Sequence, residues 1–109
     1  MDDLLSKKCV PCEGGIPPLH EAQVARLLHQ LSGWQVEGDK KIWKEFSFKH
    51  FMAAVDFINR IALVAEEENH HPNLLLHNYK KLRVELSTHA IGGLSENDFI
   101  MAAKIDQLK

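Results

Sequence analysis

The sequence predicts an α+β fold in which three helices pack on one face of a four-stranded antiparallel sheet, in the order α-β-β-α-β-β-α. Two observations carry that prediction. Apolar residues recur at helical spacing over three segments and alternate with polar ones over shorter stretches, and the shorter stretches come in two pairs, each joined by a tight turn that demands antiparallel pairing. Helices on one face leave the other to solvent or a partner.

A leader spans residues 1–17 and is expected to be a flexible arm ahead of a single domain over residues 18–109. Its Cys9-Val10-Pro11-Cys12 segment invites a redox or zinc reading. A zinc ribbon needs a second ligand pair, however, and a thioredoxin-like site needs the motif to open a helix after a strand, so a reduced and weakly ordered arm is expected. Pro17-Pro18 sets up the first helix, with Pro18 near its first turn, and Val24, Leu27, Leu28 and Leu31 recur at helical spacing before Gly33 ends it. Trp34 to Glu37 and Lys40 to Phe48 read as two strands around Gly38-Asp39, with Ile42, Phe46 and Phe48 on one face and Trp43, Glu45 and Ser47 on the other. Trp34 is expected in the core.

From Lys49 to Glu68 the helical period returns: Phe51, Ala54, Val55, Ile58, Ala62 and Ala65 make one stripe, and Phe57, Ile61 and Val64 widen it. So wide an arc predicts contacts beyond one sheet, and the flank with Phe57, Ile61 and Val64 motivates a homo-oligomer, dimer or tetramer. The helix must stop before Pro72, which disfavours α conformation in its predecessor, and this puts His70 and His71 at a helix-to-strand junction. Leu74 to His77 and Lys81 to Ser87 then form a hairpin turning near Asn78-Tyr79-Lys80, in a register that sets positions summing to about 158 opposite each other. Leu82, Val84 and Leu86 face one way, Arg83, Glu85 and Ser87 the other, and His89 shares the polar parity. After Gly92-Gly93, Ser95-Glu96-Asn97-Asp98 has the form of a capping box opening a last helix, with Phe99, Ala102, Ala103 and Ile105 inward.

With 109 residues and 45% hydrophobic content, the chain can bury a small core of its own. Thirteen basic and fifteen acidic residues give a net charge of -2, and the basic residues are scattered, so direct nucleic-acid binding has no electrostatic footprint. The first eight residues lack a basic start followed by an apolar run, and no stretch approaches the ~18 apolar residues of a membrane span. A soluble cytoplasmic protein without a membrane partner is expected.

The chemistry concentrates in Asn69-His70-His71-Pro72 and Ser87-Thr88-His89, because the hairpin register carries His89 to the level of Asn69 and His70. Imidazole, with an unperturbed pKa of roughly 6.5, both gives and takes protons at neutral pH. Three readings of His70, His71 and His89 stand at this level: an acid-base site, a three-histidine zinc centre, or a polar helix-end loop without chemistry. Adjacent histidines tend to diverge and no HxH or HxxxH spacing supports the metal.

The segment Glu66-Glu67-Glu68-Asn69-His70-His71-Pro72, Tyr79, Ser87-Thr88-His89 and Gly93-Leu94-Ser95-Glu96-Asn97-Asp98 together closely resemble the signature of the pterin-4a-carbinolamine dehydratases. The likeness extends back through Gly33-Trp34 and Phe46-Ser47-Phe48 to about Pro18, leaving out the leader, and the family's fold agrees with the order read above. It implies a hydro-lyase that dehydrates 4a-hydroxytetrahydropterin to the quinonoid dihydropterin, recycling the pterin of aromatic amino acid hydroxylases, with no metal and no bound cofactor. By the same resemblance His70 and His89 transfer protons, His71 binds the pterin and shares the acid-base role, and Glu66, Asn69, Pro72, Ser87, Thr88 and Asp98 belong to the substrate site. Asn69 stands where the animal members have an acid. The resemblance also carries a second reading, a non-catalytic pterin-binding or dimerisation-cofactor module, whose surface would be the open sheet face or the flank of the long helix rather than the histidine cleft.

Overall fold

The computed structural model describes residues 4–10 and 17–109. Three helices, α1 (Glu21–Leu28), α2 (Phe51–Glu68) and α3 (Glu96–Asp106), and four strands, β1 (Gln35–Glu37), β2 (Lys41–Ser47), β3 (Asn73–His77) and β4 (Lys81–Leu86), follow the predicted order. The sheet is antiparallel throughout, ordered β1-β2-β4-β3. Alternation explains its two faces: Ile42 and Phe46 of β2 lie opposite Leu86 and Leu82 of β4, all buried beneath the helices, while Trp43, Glu45, Arg83 and Glu85 occupy the open face. There the Arg83 guanidinium stacks 4.0 Å from the Trp43 ring centroid. The β3–β4 register runs from Asn73 opposite Glu85 to His77 opposite Lys81, as expected, around a turn in which Asn78 and Tyr79 both take positive φ.

Four expectations are corrected. Helix α1 begins at Glu21 rather than near Pro18, because the preceding residues are held elsewhere: the Leu19 N–H donates to the Leu94 carbonyl at 2.9 Å, and Pro18 packs so closely on Gly93 that a Cβ there would lie 2.8 Å from it. Both strands of the first hairpin are shorter than predicted. The buried stripe of α2 runs through Ala54, Phe57, Ile61, Ala65 and Glu68, whereas Phe51 and Ala62 face outward. Phe57 decides this, since its ring packs 5.0 Å from that of Phe46 and 5.1 Å from that of Phe48. Phe57 and Ile61 are therefore core, and the large apolar side chains left exposed on α2 are Phe51, Met52 and Leu63.

The fourth correction concerns the leader. Leu4 opens a short 3-10 turn (Leu4–Ser6) and is buried in the core, and Lys7 pairs with Glu96 at 3.1 Å, so residues 4–10 lie along α3. The reason is the composition of α3. Phe99, Ile100, Met101, Ala102, Ala103 and Ile105 are all buried, and a helix apolar on every side needs cover beyond the sheet and α2. Full burial of one leucine is worth about 1.5–3 kcal/mol. Residues 11–16, and with them the expectation for Cys12, lie outside the described residues. Trp34 is core, as expected: its Nε1 donates to Asp106 Oδ2 at 3.0 Å and its ring meets Phe46 edge-on.

Candidate active site

Three chain segments converge at one end of the sheet. The first is the exit of α2. Asn69 takes the left-handed conformation, φ 53, and both its N–H and that of His70 turn back to the Ala65 carbonyl, which closes the helix just ahead of Pro72. The second is the loop after β4. Its strand pairing ends at Leu86, and an isolated bridge between Thr88 and Gly93 then pinches off a 3-10 turn, His89–Ile91, closed by Gly92 at φ +67. His89 opens that turn and is exposed, while Thr88 continues the buried parity of Leu82, Val84 and Leu86. The third is the start of α3, capped by Ser95.

Asp98 ties the three together. Its carboxylate has no exposed surface. Oδ2 accepts the Ser95 N–H at 3.0 Å and the Thr88 hydroxyl at 2.9 Å, while Oδ1 lies 2.7 Å from His70 Nε2. A carboxylate at the third position of a helix also meets the positive end of the helix dipole. Thr88 is buried and its Oγ1 lies 2.8 Å from Ser95 Oγ, so Ser95, Thr88, Asp98 and His70 form one connected network. Because a carboxylate only accepts, the arrangement sets the proton of His70 on Nε2 and leaves the Nδ1 lone pair available as a base.

His70, His71 and His89 line one cleft of about 600 Å³. Of the other expected residues, Asn69, Ser87 and Thr88 line it too; Glu66, Pro72 and Asp98 do not. Glu66 is exposed and its Oε2 pairs with His71 Nε2, Pro72 follows the histidines and leads into β3, and Asp98 touches His70 from its buried position. The sequence reading missed Cys9, Val10, Glu67, Glu68, Ala90 and Asn97. For Glu68 a signal existed, since it continues the 54-57-61-65 stripe as a carboxylate at a core position.

Glu68 is buried between two donors, the Cys9 N–H at 2.8 Å and Lys104 Nζ at 3.0 Å. The Cys9 N–H above all, with Lys104 in support, holds its carboxyl below the usual carboxylate range against the opposing effect of burial. Cys9 responds in the opposite sense: burial first, then the negative charge of Glu68, pushes its thiol up to about 12. The cleft thus presents a neutral thiol and an ionised, fully paired carboxylate beside three imidazoles.

The model of the family described as pterin 4 alpha carbinolamine dehydratase matches residues 17–108. A protein of Nitrosospira multiformis named "Putative pterin-4-alpha-carbinolamine dehydratase" is 52% identical over 99% of this chain and 94% of its own length. One of the same name from Nitrosomonas europaea is 53% identical over 97% of this chain and 93% of its own. Among solved structures, a transcriptional coactivator/pterin dehydratase from Brucella melitensis superposes with a TM-score of 0.77 at 37% identity, covering 83% of this chain and 96% of that one. A pterin dehydratase-like protein identified as a RuBisCO assembly factor in the alpha-carboxysome shares the fold at 23% identity, with a TM-score of 0.60, over 73% of this chain and 93% of its own. On the family match and on relatives above 50% identity along nearly the whole chain, this protein belongs to the pterin 4 alpha carbinolamine dehydratase family.

Proposed function

We propose that the protein is a catalytically active dehydratase that converts 4a-hydroxytetrahydropterin to quinonoid dihydropterin and water by histidine acid-base catalysis. The observation that carries this reading is the His70–Asp98 pair at 2.7 Å, opening onto a cleft shared with His71 and His89. Dehydration takes a proton from N5, forms the C4a–N5 double bond from the freed electron pair, and breaks the C4a–O bond as a second proton reaches the leaving hydroxyl. His70, with Nε2 committed to Asp98, suits the base; the imidazolium it becomes is stabilised by the carboxylate behind it. His89 delivers the proton to oxygen, and His71, oriented by Glu66, binds the pterin and shares that role. Each positioned imidazole contributes about 10² to 10⁴-fold.

On this reading Asn69, Ser87 and Thr88 meet the substrate directly, while Glu66, Pro72 and Asp98 act by positioning the histidines. The physiological setting is cytoplasmic pterin recycling alongside an aromatic amino acid hydroxylase, with homo-oligomers formed through the exposed apolar residues of α2. Among the described residues no helix is long and apolar enough to cross a membrane. The test is the decay of the carbinolamine in a hydroxylase-coupled assay. Wild type is expected to suppress its accumulation and the His70→Ala, His89→Ala double variant to lose that effect; a folded wild type that leaves the decay unchanged overturns the proposal.

A second reading, an interaction module, is favoured by two observations: Phe51, Met52 and Leu63 stand exposed on α2, and the Brucella relative carries the double description of coactivator and dehydratase. That role would survive loss of both histidines.

A further inference from the structure

The family match begins at residue 17, yet one wall of the cleft comes from before it: Cys9 and Val10 line the same space as His70 and His89. They are held by their backbone and by the Cys9 thiol, which donates to the Asn97 carbonyl at 3.7 Å. The Cys9 N–H donates to Glu68 Oε1 at 2.8 Å; the Val10 N–H donates to Asn97 Oδ1 at 3.0 Å, and Asn97 Nδ2 donates back to the Val10 carbonyl at 2.6 Å. One buried asparagine amide thus satisfies both backbone groups of one residue, as a neighbouring strand would. Upstream, Leu4 in the core and the Lys7–Glu96 pair fix the same segment to α3. Val10 is 64% exposed, and the two bonds to Asn97 are made by its backbone N–H and carbonyl.

The two anchors are adjacent to the chemistry. Glu68 lies two residues before His70 and Asn97 immediately before Asp98, so the segment spans the gap between the end of α2 and the start of α3 that the His70–Asp98 contact also bridges. We propose that residues 7–10 form a strap that is a structural wall of the substrate site, so that affinity for a reduced pterin depends on its docking. This rests on the dehydratase reading. Cys9 adds to the cleft lining a half-buried thiol that stays protonated at neutral pH, an uncharged group poor as a nucleophile.

The test uses the full chain carrying Cys12→Ser, which leaves Cys9 as the reporter thiol, and 7,8-dihydrobiopterin as the probe. Binding is followed by fluorescence quenching, and Cys9 reactivity by an aromatic disulfide reagent. Val10→Pro deletes one strap N–H; Val10→Ala is the reference, which shortens the side chain and keeps that N–H. Val10→Pro is expected to weaken pterin binding about five- to tenfold, the weight of one hydrogen bond, and to raise KM with kcat held. It also speeds thiol modification relative to Val10→Ala. Bound pterin slows Cys9 modification in the unaltered strap, a readout that needs no strap variant. If pterin binds but neither Val10→Pro nor Cys9 protection responds, the strap proposal falls and the dehydratase reading stands. If kcat and thermal stability drop together with KM, the strap is only part of the fold, and the proposal falls as well. Failure of the parent protein to bind pterin overturns the dehydratase reading and takes this wall with it.

Discussion

Asp98 reaches His70 from the inside of the protein: its carboxylate is wholly buried, yet it touches Nε2 of an imidazole whose other edge belongs to the cleft. A surface carboxylate in that position would be screened and mobile. Fixed by Ser95 and Thr88 at the start of α3, it has one orientation, and so does the ring it holds.

Asp98→Asn is therefore expected to act on catalysis more than on folding. The amide keeps the shape of the carboxylate, but it no longer sets the His70 tautomer or stabilises an imidazolium. A loss in kcat of about 10² to 10⁴-fold follows, close to that of His70→Ala, and the double variant is expected to be scarcely worse than either alone. Stopped-flow measurement of carbinolamine decay checks this. Additive losses would show that Asp98 and His70 act independently.

Thr88→Val removes the hydroxyl that donates to Asp98 and leaves a buried carboxylate short of one donor. The expected cost is about 1–3 kcal/mol, which lowers the thermal midpoint of a domain of this size by at least about 4 °C. Thr88→Ser is expected to restore most of it. A Thr88→Val midpoint equal to wild type would mean that the network is not under strain from this loss.

Where the sequence was legible, a local rule and the tertiary structure agreed. The β3–β4 register followed from parity and turn position, and it delivered His89 to the level of His70 even though strand pairing stops at Leu86. The capping box at Ser95–Asp98 was equally readable, but its second use was not, because nothing in the pattern shows that a capping carboxylate has a free oxygen pointing at a histidine from another segment. The face of α2 was misread by one residue because several apolar arcs competed and the packing of Phe57 between Phe46 and Phe48 chose among them. The strap was invisible for a different reason. Most of its contacts near the cleft are made by backbone N–H and C=O groups, which carry no sequence signature.

The exposed apolar side of α2 gives a prediction about assembly. Met52 and Leu63 project from the side of the helix that the sheet does not cover. Wild type is expected to sediment as an oligomer at micromolar concentration, and a Met52→Glu, Leu63→Glu double variant as a monomer with carbinolamine decay unchanged. A monomeric wild type would remove the basis for assembly through this face.

Glu68 gives the pH dependence. Its carboxyl is held low in the folded state, first by the Cys9 N–H and then by Lys104, so the unfolded chain binds its proton more readily than the native one. Stability from this group is fully present above the ordinary glutamate value of about 4.3 and is lost as pH falls through the lower folded-state value. Urea unfolding of Glu68→Gln against wild type is thus expected to show a difference at pH 7 that narrows below about pH 4. Glutamine keeps an oxygen for the Cys9 N–H but offers no charge to Lys104, so the variant also separates the two contributions. If the difference between the two proteins is the same at both pH values, the ionisation of Glu68 is not linked to folding and the Cys9 contact stabilises the native state as a neutral hydrogen bond.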